Sequence, residues 1–256
     1  MRWDAEKYDS AKGPQIDAGK ELIAMAKVLE TDFVLDIGCG TGKLTVELAH
    51  LASKGSIVGI DPSKEMLEKS NRISLGVSNL RFMSIPAQSM DFTEEFDLIF
   101  SNSALQWIKD QEDVLRLTHK ALKEGGRIAF QLPSRYFCGE FSDYAERAIA
   151  LLGYEDCFRN WQAPWYLPLQ EEYRQLLEDA GFRRINVYYK DYRIVFDYLE
   201  EVLAWWASAG LRPYLERLTE REQEYFKYAI AMCYENNRTN RGIEFDFRRL
   251  FAFAEK

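Results

Sequence analysis

Between residues 17 and 133 the apolar positions switch repeatedly between two patterns. Stretches with apolar residues every three or four positions read as helices facing a core, and short continuous apolar runs read as buried strands. Residues 17–29 place Ala18, Leu22, Ile23, Met25, Ala26 and Leu29 broadly on one side, which predicts a helix. The alternation continues as strand 33–37, helix 43–52, strand 56–60, helix 63–70 with Ser63 as N-cap, strands 80–84 and 96–101, helix 113–123 stopped by Gly125-Gly126, and strand 127–133 ended by Pro133. Strands that are apolar on both faces, separated by helices, predict an α/β doubly wound domain with a largely parallel sheet.

After residue 133 the pattern changes. Tyr136, Phe137, Phe141, Tyr144, Trp161, Trp165 and Tyr166 make 134–168 rich in aromatics. A helix follows, with Gly181 at its C-terminal cap, and then a strand over 185–196. Residues 197–236 read as two or three helices, interrupted at Gly210 and Pro213 and restarted by a Thr219/Glu222 capping box; 247–254 closes the chain as a strand. The expectation is a single domain over 1–256. Two insertions, about 134–168 and 197–244, would form a helical cap over the crevice at the sheet's carboxyl end.

The chain has 256 residues, 47% of them hydrophobic and 29% charged, with a net charge of −8. That balance suits a globular protein and disfavours a nucleic-acid partner, which asks for a broad basic surface. No apolar run is long enough to span a membrane and residues 1–10 have no apolar signal segment, so a cytoplasmic protein with no membrane partner is expected. Cys39, Cys138, Cys157 and Cys233 form no C-x-x-C pair, and the two histidines, His50 and His119, fall in helical stretches; no metal site is expected.

"VLDIGCGTGKLTVELA", residues 34–49, carries the candidate chemistry. Glycines between a buried strand and a helix let the backbone approach a ligand closely. A phosphate-binding P-loop fails because Gly42-Lys43 is followed by Leu44. A dinucleotide fingerprint is weakened because its third glycine falls one residue early, at Gly42. Asp36, expected at the strand end and aimed into the crevice, would repel a pyrophosphate and suit a cationic ligand such as S-adenosylmethionine. Asp61, at the end of the next strand, can accept both hydroxyls of a ribose, which serves either cofactor.

Four segments in order, "VLDIGCGTG", "VGIDPSKEML", "FDLIFSNSALQWI" and "LKEGGRIAFQLP", resemble the motifs of class I S-adenosylmethionine-dependent methyltransferases. The resemblance implies a Rossmann-like seven-stranded sheet whose last strand is antiparallel, with S-adenosyl-L-methionine as cofactor. It implies cofactor contacts from Asp36, Gly38, Cys39 and Gly40, from Asp61, Pro62 and Met66, from Ala87 and Gln88, and from Asn102. Tyr8 and Gln15 lie in an N-terminal segment that often folds over the cofactor in this superfamily. One departure is in "SIPAQSMDF", where Pro86 stands near the place of an acid that commonly holds adenine; Gln88, Ser84 or the Ala87 N–H would substitute.

"SNSALQWI", "AFQLP", "AWWASAGLRPYLERL" and "FDFRRLFAFA" further resemble the trans-aconitate methyltransferase group. This implies O-methylation of a carboxylate on a small organic acid. A carboxylate is ionised at pH 7, so no catalytic acid or base is expected; rate would come from holding the oxygen in line with the methyl, roughly 3 Å away, in a dry site. Candidate acceptor-binding residues are Trp107 as a wall and an arginine as bidentate anchor: Arg212 first, then Arg135, or one of Arg248 and Arg249, which as strand neighbours cannot both face inward. The Trp205-Trp206 pair reads as cap core. Rival acceptors are a malonyl group on an acyl carrier protein, docked on a basic rim of Arg183-Arg184 and Arg248-Arg249, and a natural-product hydroxyl or carbon. A monomer or weak homodimer is expected.

Overall fold

The computed structural model describes residues 15–135, 139–208 and 210–256. In chain order the elements are α1 (Gln15–Ala26), β1 (Phe33–Ile37), α2 (Lys43–Leu51), β2 (Ser56–Ile60), α3 (Lys64–Ile73), β3 (Leu80–Met83), β4 (Phe96–Asn102), α4 (Gln111–Ala121), β5 (Leu122–Pro133), α5 (Gly139–Leu152), α6 (Gln170–Asp179), β6 (Arg183–Phe196), α7 (Leu199–Ser208), α8 (Arg212–Leu215), α9 (Glu220–Tyr234), β7 (Arg238–Thr239) and β8 (Gly242–Glu255).

The strand order is β3-β2-β1-β4-β5-β8-β6, with two-residue β7 attached to β8 as an eighth strand. β1 to β5 pair in parallel, and β8 runs antiparallel to both β5 and β6. Chain order therefore reverses between β1 and β4, which opens a crevice at the carboxyl ends of these strands. Period-two alternation splits the buried side chains between two faces. Leu35, Ile37, Ile99, Ile128, Phe130 and Leu250 pack with Val114, Leu115, Tyr173 and Leu177 of α4 and α6. Val34, Ile57, Leu98, Phe100, Ala129 and Phe251 pack with Ala18, Leu22 and Leu48 of α1 and α2.

β8 starts five residues before the expected 247, at Gly242, and pairs with β6 from Arg183↔Glu255 to Phe196↔Ile243. β5 follows it only to the Pro133↔Arg249 pair, so the β6–β8 ribbon runs on past the edge of the sheet. There Phe196, Ile243, Phe245 and Phe247 join Phe141, Trp205, Trp206, Tyr214, Phe226 and Tyr234 in a third cluster. The two acids Glu244 and Asp246 interrupt the apolar run and hide the strand in the sequence. Both are ion-paired by Arg193, and Glu244 also by Arg241.

α1 ends at Ala26, three residues short of the expected 29, and Met25 and Leu29 are exposed. Lys27 takes a left-handed φ of 49°. Arg127 then caps the end: its guanidinium donates to Ala26 O at 3.0 Å, to Lys27 O at 2.9 Å and to Asp32 Oδ2 at 2.6 Å. Asp32 is buried and also accepts from Leu29 N at 2.8 Å. This seats α1 on the sheet so closely that a Cβ on Gly19 would lie 2.4 Å from Leu44 Cδ1 and 3.0 Å from Asn102 Nδ2. Removing one partner of such a buried pair leaves a charge without its counter-ion. Asp32→Ala should therefore destabilise the fold by about 3 kcal/mol in urea denaturation. Asp32→Ala/Arg127→Met should recover part of that loss.

Candidate functional site

A pocket of about 370 Å³ opens where β1, β2 and β4 end, lined in part by Gly38, Gly40, Asp61, Pro62, Met66, Ile85, Pro86, Ala87 and Gln88. Gly38, Gly40 and Gly42 have φ of 73°, 54° and 82°, a region that favours glycine, so the loop turns tightly between β1 and α2. The Gly38 and Cys39 N–H groups donate to Ile60 O at 2.8 and 3.1 Å, which ties the loop to β2. A Cβ on Gly38 would strike Ala104 Cβ at 2.1 Å, whereas one on Gly40 would meet nothing within 4 Å, because Gly40 faces the pocket.

Asp61 stands at the end of β2 in the same wall. Its carboxylate accepts from Gly40 N at 3.0 Å and from Ser63 N at 2.8 Å, joining the glycine loop to the start of α3. Burial raises its pKa, and the two amide bonds oppose that rise. Asp36 corrects the sequence expectation: it is not among the lining residues. Alternation along β1 puts it with Val34 on the α1/α2 face, where Thr45 Oγ1 donates to it at 2.7 Å. Burial, reinforced by the charge of Asp61, raises its pKa to about 7 against the pull of the Thr45 bond. Cys39 likewise turns away from the pocket, its Sγ near Gly59, and burial beside two acids raises its thiol pKa. Tyr8 lies outside the described residues. Gln15 opens α1, and its side chain is not among those described.

The lining continues with Asn102, Ser103, Ala104, Gln106, Trp107, Ile108, Pro133, Trp165, Leu167, Trp205, Trp206, Gly210, Phe247 and Arg249. Trp107 and Trp165 meet edge to face at 5.9 Å, while Trp206 stacks on Phe141 at 3.8 Å. Arg249 is 2% exposed. Its guanidinium lies 4.8 Å over the Phe247 ring and donates to Ser103 Oγ at 2.5 Å and Gln131 Oε1 at 2.6 Å. Ser103 supports it from a left-handed φ of 57°, fixed by its N–H to Gln131 O at 2.8 Å. Such backbone strain in a non-glycine residue clusters at ligand sites.

Of the four arginines put forward as acceptor anchors, Arg249 is the one that lines the pocket. Arg248 faces the opposite side of β8, bidentate to Asp191 at 2.7 Å on each bond, as alternation requires. Arg135 is exposed and forks onto Glu172 at 2.9 Å. Arg212, at the start of α8, is not among the lining residues. No basic rim forms from the two arginine pairs: Arg184 binds Glu255 at one end of the β6–β8 ribbon, Arg248 pairs with Asp191 seven residues further along β8, and Arg249 is buried.

A family model described as "Methyltransferase domain" matches residues 30–181, the segment that carries the glycine loop, Asp61 and β4. The chain belongs to that methyltransferase family. It is an S-adenosylmethionine-dependent methyltransferase. Trans-aconitate 2-methyltransferase from Azoarcus sp. (strain BH72) is 28% identical over 267 residues, covering 98% of each chain. The enzyme of that name from Deinococcus radiodurans is 29% identical, covering 85% of this chain and 84% of its own. The YcgJ protein of Bacillus subtilis superposes with a TM-score of 0.65 at 18% identity over 94% of this chain and 98% of that one, a likeness of fold.

Sequence reasoning about the methyltransferase missed Ser103, Gln106, Leu167 and Phe247 and read Trp205-Trp206 as core. The tryptophans belong to both cluster and pocket wall. The signal available for Arg249 was parity: it shares the strand face of Phe247 and Phe251.

The raised pKa of Asp36 makes stability pH-dependent. Between pH 4 and 7 the folded protein holds a proton that the unfolded chain has released, so this group destabilises the fold as pH rises, by on the order of 4 kcal/mol. Without cofactor, Asp36→Asn should match wild type at pH 4 and exceed it in thermal stability at pH 8. Equal melting temperatures at pH 8 would mean the carboxylate is ionised without cost.

Proposed function

We propose that the enzyme transfers a methyl group from S-adenosylmethionine to a carboxylate oxygen of a small organic acid. The observation that carries this reading is Arg249, a buried guanidinium lining the same pocket as the glycine loop. The trans-aconitate 2-methyltransferase names of its relatives support the same acceptor chemistry.

The residues present fit the methyl donor. The open side of Gly40 leaves room for a ligand that any Cβ there would obstruct. Asp61, fixed by the Gly40 and Ser63 N–H groups, offers acceptor lone pairs to a ribose. Pro62, Met66, Ile85 and Pro86 give an apolar clamp for a purine ring, with Ala87 and Gln88 at its polar edge. Asn102 is suited to the amino-acid end. When bound, the donor supplies an electrophilic methyl on a sulfonium. A carboxylate oxygen forms the new C–O bond with its own lone pair, the C–S bond pair goes to sulfur, and no proton moves. The protein therefore needs no catalytic base. Arg249 binds and orients the acceptor anion, and the tryptophans exclude water, which strengthens that contact. The ester group formed is neutral, so Arg249 holds the carboxylate better than the ester that replaces it.

Arg249→Leu should raise the acceptor KM about 100-fold while leaving affinity for S-adenosylhomocysteine unchanged. Steady-state methyl-ester formation and calorimetry together check this. Equal loss of both affinities would make Arg249 structural.

A further inference from the structure

Among the described residues lining the pocket, Arg249 is the one cation. The same lining carries Trp107, Trp165, Leu167, Trp205, Trp206 and Phe247, with Asn102, Ser103 and Gln106 among its uncharged polar side chains. A guanidinium set 4.8 Å over an aromatic ring and fixed by a hydroxyl and an amide presents a single directional anchor, not a basic surface. A tricarboxylate such as trans-aconitate brings two further charges into this chamber. Each would be stripped of water against indole rings, with no second cation among the described lining residues to pair it. One carboxylate with an apolar body loses nothing of the kind and gains edge and face contacts with the rings.

Resting on the carboxylate O-methylation reading, we infer that the acceptor is a monocarboxylate with an aryl or branched-alkyl body, a class different from the one for which the relatives are named. Specificity then divides between the two sides of the chamber. Arg249 selects the charge, and the tryptophan walls select the body and exclude additional charge. Leu167 is half-buried at the wall, where a long cationic side chain can lie along apolar surface with its head in reach of a second anion.

The test supplies S-adenosylmethionine and two sets of acids to the wild-type enzyme: phenylacetate, indole-3-acetate and 4-methylpentanoate against malonate, citrate and trans-aconitate. Methyl esters are quantified by mass spectrometry. The best monocarboxylate should exceed the best polycarboxylate in kcat/KM by about 100-fold. Leu167→Arg should narrow that ratio about tenfold, with S-adenosylhomocysteine binding as the check on its fold. A polycarboxylate as best substrate of the wild type overturns this inference and leaves carboxylate O-methylation standing. No ester from any acid, in a protein that binds S-adenosylhomocysteine, overturns both. An unchanged ratio in a folded Leu167→Arg counts against the single-anchor account.

Discussion

One carboxylate joins the parts of the pocket that the ends of β1 and β2 supply. Asp61 takes the amide of Gly40 from the loop after β1 and the amide of Ser63 from the start of α3. The loop's turn depends on left-handed glycines, and an unanchored glycine loop has the largest conformational entropy to lose. Two charge-assisted bonds to a half-buried acid offset that loss and fix which way the loop's open face points. The cost is an acid held partly out of water beside a second acid, Asp36, which the raised pKa values of both register. Asp61, in the pocket lining beside the loop, disfavours a pyrophosphate there.

The second constraint is the length of the β6–β8 ribbon. Because β5 stops at Pro133, Arg249 is the last residue of β8 paired with it, and the ribbon carries Phe247 beyond that rung; both line the pocket. α7, α8 and α9 pack on that same extension through Trp205, Tyr214 and Phe226, so the aromatic wall and the arginine share one support. On the proposed reading, donor and acceptor are held by different parts of the chain: local turns hold the first, and long-range strand pairing holds the second.

That difference decides what was legible in the sequence. Gly38, Gly40, Asp61, Pro62 and Met66 belong to short motifs whose geometry is set within a few residues, and all of them line the pocket. Ala87, Gln88, Asn102 and Trp107 followed from strand ends in the same way. Arg249 could not be chosen over Arg248 without the face of β8, which is set by its register with β5 and β6. Asp36 was misdirected because its place at a strand's carboxyl end was read without the alternation that pairs it with Val34. The end of α1 was hidden because Arg127, a hundred residues away, supplies its cap.

The most direct test of the account is calorimetric titration with S-adenosylhomocysteine of wild-type enzyme and Asp61→Ala. Saturable binding at one site, lost in the variant while its far-ultraviolet circular dichroism is retained, is the expected result. Equal affinity in the two proteins, or tight binding of NAD in place of S-adenosylhomocysteine, would contradict it.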